Sequence, residues 1–180
     1  MDAFESIIEQ LLEEEKYWVR HSVKIALTVE EKRNIGKPST PRPEIDIIAL
    51  DIKENKIYLL EVKSFLDSPG VYYEAVTVEQ EQQEGRYKLL TSENYRNVLW
   101  NRLKNDWLVS GHINSETSVS YGLIAGKIHK NREEELEKYF EDKQWLFWGP
   151  TKIKSKIKQL SSKGYENNAV TIAAKLLTRE

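Results

Sequence analysis

Apolar positions along the chain fall into two alternating rhythms. Phe4, Ile7, Ile8, Leu11 and Leu12 recur at helical spacing, which predicts an amphipathic helix over residues 2 to about 16, with Asp2 as its N-cap. From Tyr17 the period changes to two, and Trp18, His21, Val23, Ile25 and Leu27 mark a first strand to about Val29. Residues 30 to 43 break the pattern and carry three of the chain's five prolines, so a loop is expected there. Two apolar runs follow, at about 44–52 and 56–64, separated by a short polar joint around Asp51-Ile52-Lys53-Glu54-Asn55-Lys56. A joint of that length predicts an antiparallel hairpin.

Ser68-Pro69-Gly70 marks a turn, and Tyr72, Tyr73, Val76 and Val78 fit a short β segment or a packed loop equally well. A helical region is expected from about Glu79 to Leu108, with a break near Thr91-Ser92. Val119 to Ile128 reads as a strand and Asn131 to Asp142 as a polar helix. Gln144 to Trp148 is a short aromatic strand closed by Gly149-Pro150, and helices over about 151–161 and 166–178 complete the order. That order is helix, three strands, helix, strand, helix, strand, helices.

Composition narrows the class. A chain of 180 residues, 39% hydrophobic and 31% charged, suffices for one domain with its own core. The absence of cysteine excludes disulfides and thiolate metal sites and fits a reducing compartment, so a soluble, cytoplasmic protein is expected. No apolar run is long enough to span a bilayer, and the acidic N-terminal stretch is unlike a signal peptide, so no membrane partner is expected. A net charge of −2 offers no global argument for nucleic-acid binding. The distribution does offer a local one: Lys152, Lys154, Lys156 and Lys158 crowd one segment, and contact with a phosphate backbone is one use for it, a solvated face being the other.

Candidate chemistry centres on Ile57 to Ser64, where an apolar strand runs into Glu61 and Lys63. Alternation puts those two side chains on one face and Val62 on the other. Other Glu-x-Lys triplets, such as Glu54-Asn55-Lys56, sit in polar stretches where charge is solvated; only this one ends an apolar strand, where a carboxylate needs a partner. Asp46 lies near the start of the neighbouring strand, so an antiparallel hairpin brings Asp46 and Glu61 to the same end, within reach of one hard cation.

Pro43-Glu44-Ile45-Asp46, then fourteen residues, then Glu61-Val62-Lys63, resembles the signature of the PD-(D/E)XK nuclease superfamily. The resemblance covers about residues 2–128, roughly two thirds of the chain, and departs where Ile45 stands in place of the motif's proline. It implies an α/β restriction-endonuclease-like core, ordered αβββαβ with a mixed sheet between helices and extra C-terminal elements over about 131–178. It further implies a Mg²⁺-dependent nuclease, with Mn²⁺ able to substitute, acting on nucleic acid and first of all DNA. In that family's terms Asp46 and Glu61 hold the metal together with the Val62 carbonyl, and Lys63 positions or helps to deprotonate the attacking water.

Glu44 shares a strand face with Asp46 and is a secondary ligand candidate. Members of the family often add a glutamate from the first helix; Glu5 and Glu9 lie one turn apart, and chain length to the first strand favours Glu5. Gln83 and Tyr87 resemble a Gln-x-x-x-Tyr motif of the family's exonuclease-like branch. A chain this small would need to dimerise to read a long sequence, so a homodimer is one expected state. The alternative function is a catalytically silent domain of the same fold that binds nucleic acid or a partner protein.

Overall fold

The computed structural model describes residues 2–39, 42–79, 85–164 and 166–178. Helix α1 (Ala3–Glu14) begins at a capping box in which Asp2 accepts the Glu5 N–H and the Glu5 carboxylate accepts the Asp2 N–H. Its Ile8, Leu11 and Leu12 are buried. Strand β1 (Trp18–Lys24) follows, then a short helix α2 (Val29–Asn34). This helix falls where a loop is expected from the prolines. Its cause is local: Thr28 and Glu31 form a second capping box, which stabilises one turn before the chain reaches Gly36 and Pro38.

Strands β2 (Glu44–Asp51) and β3 (Lys56–Lys63) form the expected hairpin, closed through Asn55 in the left-handed conformation at φ +48°. The stretch left open between strand and loop becomes a short helix α3 (Tyr73–Thr77), preceded by a single parallel bridge between Val71 and Ile128. Among the described residues, the expected long helix is seen as two pieces divided at the expected break. It consists of one turn, α4 (Lys88–Thr91), and the 17-residue α5 (Glu93–Val109), separated by Ser92, whose hydroxyl caps α5. The segment's start at Glu79 precedes residues that lie outside those described, and helix is seen only from Lys88 onward.

Strand β4 (Ser118–Ala125), helix α6 (Glu133–Asp142), strand β5 (Leu146–Trp148) and helices α7 (Pro150–Leu160) and α8 (Ala169–Thr178) complete the described chain. The sheet order is β1-β2-β3-β4-β5; the first two neighbouring pairs are antiparallel and the last two parallel. Helices cover both faces. On one, Ile8, Leu11 and Leu12 of α1 join Ile153 and Leu160 of α7 over Ile47, Leu60 and Val62. On the other, Leu99 and Leu103 of α5 and Phe140 of α6 pack over Ile48, Ile57, Leu59 and Leu123. Coverage of both faces explains why β3 and β4 read as nearly continuous apolar runs. Among the described residues, no helix is long and apolar enough to cross a membrane.

The arrangement leaves one polar end. β3 and β4 run parallel in register, so Lys63 and Ala125 finish side by side, and β2, being antiparallel, begins at that same end. A strand end where parallel strands deliver their carboxyl termini is where open α/β sheets place their ligands.

Candidate active site

Three charged side chains converge at that end. The last backbone pair of the hairpin is Ile47 with Leu60, and one further step of the same register sets Asp46 opposite Glu61. There the Asp46 carboxylate takes over from the backbone, accepting the Val62 N–H at 2.8 Å and the Lys63 ammonium at 2.6 Å. The same ammonium lies 3.0 Å from Glu61 Oε2. Lys63 therefore bridges two carboxylates, with all three side chains only 16–19% exposed. On the other flank, the β1–β2 register points Asp46 at Ser22, which takes φ +53° and interrupts regular pairing beside the site.

Burial pushes the Glu61 carboxyl up to about 7; the Lys63 charge works against that rise and Asp46 adds to it. Burial acts to lower the Lys63 ammonium, but Glu61 and Asp46 outweigh it and hold the pKa above the usual lysine value. Lys63 is thus charged at neutral pH and acts as a donor. Its ammonium sits where a cation between the two carboxylates would sit.

Two buried or half-buried tyrosines feel the charges of the cluster. Tyr87, at the start of α4, is buried, and burial raises its hydroxyl pKa while Lys63 and Arg86 pull it down. Tyr95, in the first turn of α5, is pushed up to about 12 by burial and then by Glu61. Tyr87 belongs to the candidate motif; Tyr95 does not, and no spacing in the sequence singles it out. Its only signal is membership of a helix that must cover the sheet. The motif's other member, Gln83, lies outside the described residues.

Glu5 reaches towards the site from the opposite face of the sheet. Burial raises its carboxyl above the usual range, the backbone hydrogen bond at Asp2 lowers it, and the charges of Asp2 and Asp46 raise it. It is also the third residue of the α1 capping box, a structural duty that accounts for a glutamate there without any ligand. Glu9 stands apart, lining a surface groove with Glu13, Glu14 and Lys163. Glu44 pairs with Lys24 at 3.8 Å on the exposed edge of the β1–β2 ribbon.

The four lysines of α7 divide by role. Lys152, Lys154 and Lys158 are exposed, while Lys156 reaches back to Glu15 at 2.6 Å and lies 4.5 Å above the Trp148 ring. Lys152 and Lys156 border a cleft of about 510 Å³ with Tyr17, Tyr58 and Trp148. Tyr58 and Trp148 pack on the sheet face of Leu60 and Val62, whereas Glu61 and Lys63 alternate to the other, so that cleft and the acid–lysine cluster lie on different faces of the sheet.

Among the described residues, no group of three or more His, Cys, Asp or Glu is assembled to hold a metal. Asp46 and Glu61 nevertheless fit a hard cation of the Mg²⁺ kind, which keeps several waters and takes one or two carboxylates from the protein. The Val62 carbonyl belongs to the same strand end. Compared with family models, curated proteins and solved structures, the chain matches none of them. Fold and site together define an α/β protein with a five-stranded mixed sheet flanked by helices and an acid–lysine cluster at its strand ends.

Proposed function

We propose that this chain is a metal-dependent nuclease of restriction-endonuclease-like fold that hydrolyses phosphodiester bonds, with DNA as its substrate. The observation that carries the reading is the Lys63 ammonium held between Asp46 and Glu61 at the end of a buried hairpin. The path from α1 through three antiparallel strands and a helical crossover to a parallel β4 supports the fold assignment. Asp46, Glu61 and the Val62 carbonyl would hold Mg²⁺, or Mn²⁺ in its place. Such a cation supplies Lewis acidity and neutralises charge growing on the phosphate. Lys63, already protonated, orients oxygen atoms by hydrogen bonding and offers positive charge to the phosphodiester.

The test is hydrolysis of plasmid and labelled oligonucleotides with Mg²⁺ or Mn²⁺, against an EDTA control. Asp46→Asn, Glu61→Gln and Lys63→Ala should each lower the rate at least about 100-fold. Full activity in Asp46→Asn would refute the site. The second reading, a silent nuclease-fold domain that binds nucleic acid or a partner protein, draws on the same bridge, since Lys63 already engages both acids. It predicts nucleic-acid or partner binding with no hydrolysis in either metal.

A further inference from the structure

Beyond Lys63 the chain enters a loop that is fixed in place by its neighbour. The Gly126 N–H donates to the Lys63 carbonyl at 2.9 Å, the Val71 N–H to the Lys127 carbonyl at 2.9 Å, and the His129 N–H to the Val71 carbonyl at 2.9 Å. Gly70 takes φ +98°, and a Cβ there would come within 2.9 Å of the Lys127 carbonyl oxygen. The two segments after β3 and β4 thus form one stitched platform rather than two independent loops.

What this platform presents is aromatic and basic. Phe65, two residues past Lys63, has the Arg86 guanidinium 5.7 Å from its ring centre. Tyr72, 46% exposed, stacks on His129 with ring centres 4.0 Å apart. Phe65, Gly70, Tyr72, Arg86 and Tyr87 line a groove of about 370 Å³. Lys127 and Lys130 are exposed along the same segment, and Lys127 Nζ reaches the Leu66 carbonyl at 3.4 Å. Among the described residues, Glu74 is taken up by Arg132, while Asp67 is exposed on the loop. Tyr87 belongs both to this groove and to the electrostatic surroundings of Lys63 and Glu61, so the groove opens next to the candidate active site.

We infer that this groove binds a single strand of nucleic acid, with unstacked bases resting on the exposed Tyr72–His129 stack and on Phe65–Arg86, and the backbone running past Lys127 and Lys130. Exposed aromatic faces interleaved with cations suit bases freed from a duplex, since every base has a stackable face, whereas a paired duplex hides those faces. The inference rests on the nuclease reading for the meaning of the site, but not for the binding itself.

The experiment uses the full chain in EDTA, so that nothing is cleaved, with a fluorescein-labelled oligothymidylate and a labelled duplex of equal length followed by anisotropy. The single strand should bind about tenfold tighter than the duplex, and Tyr72→Ala should weaken it about tenfold while Tyr72→Phe preserves it. Changing Lys127 and Lys130 together to alanine should reduce the slope of log affinity against log salt by about one to two. Circular dichroism checks that each variant is folded. Equal or tighter binding of the duplex, or a folded Tyr72→Ala with wild-type affinity, would overturn the inference. Single-strand binding that depends on Tyr72 but comes with no hydrolysis in Mg²⁺ or Mn²⁺ would uphold the groove and remove the nuclease reading.

Discussion

Replacing Lys63 with methionine removes the ammonium and keeps an unbranched stem of similar length. The lost contacts are at 2.6 Å to Asp46 and 3.0 Å to Glu61, among side chains 16–19% exposed. A charge-assisted hydrogen bond contributes about 1.5–3 kcal/mol net, and stripping one partner from a buried pair costs about 3–5 kcal/mol. Residual solvent access places Lys63→Met near the lower end, at about 3 kcal/mol at pH 7. For a chain of this size that lowers Tm by about 6–12 °C.

The loss depends on pH. In the wild type, Glu61 has its pKa raised from 4.5 to about 7, so it contributes stability below 4.5 that is lost as pH rises towards 7. In the variant, two facing carboxylates lack a counter-ion and Glu61 loses the charge that held its pKa down, so that decline steepens and lowering the pH to about 5 recovers part of the stability. Asp46→Asn combined with Lys63→Met should cost less than Lys63→Met alone, because no uncompensated charge pair remains. Urea unfolding followed by the fluorescence of the five tryptophans measures all of this. A Lys63→Met midpoint equal to wild type at pH 7, or a deficit of the same size at pH 5 and pH 7, would show that the ammonium is not the counter-ion of the cluster.

Other consequences are structural and independent of function. Arg96, 6% exposed, donates to the Leu90 carbonyl at 2.8 Å and lies 5.0 Å from the Trp145 ring centre and 5.6 Å from that of Tyr121; Arg96→Ala should cost about 3 kcal/mol in urea unfolding. Thr28→Ala breaks the α2 capping box and should cost about 1 kcal/mol, read by the same assay. Lys156→Ala should destabilise by about 1 kcal/mol through loss of its Glu15 and Trp148 contacts, whereas Lys154→Ala, at an exposed position, should stay within about 0.5 kcal/mol of wild type. Gly122→Ala puts a Cβ 2.5 Å from the Leu146 carbonyl oxygen and should cost about 2 kcal/mol, measured as a lowered urea midpoint.

Much of the sheet was legible because its signal is local. Two apolar runs at 44–51 and 56–63 with a short polar joint leave little choice but a hairpin, and a hairpin brings Asp46 to Glu61. The Glu5–Asp2 and Glu31–Thr28 boxes were equally present in the sequence, yet only the Asp2 cap figures in the reading, and the prolines after Arg33 drew residues 30–34 into a loop. The break near Thr91-Ser92 and the helix end at Leu108 were also legible, and α5 runs from Glu93 to Val109; what no spacing showed is that Arg96 on its buried face lies over Tyr121 and Trp145. The lysines of α7 showed the same limit. Spacing reveals that four cations share a segment, but not that one of them lies across a tryptophan from another element.

The sequence by itself determined which strand ends in charge and which neighbouring strand carries the second acid, since both follow from a two-residue period and a short turn. Tertiary structure decided the rest. Only the folded chain sets Lys63 against Asp46, brings Tyr95 and Tyr87 into the electrostatic surroundings of the cluster, and stitches the loop after β3 to the one after β4. Those contacts join residues tens of positions apart, and their geometry comes from sheet register and burial, which no local pattern encodes.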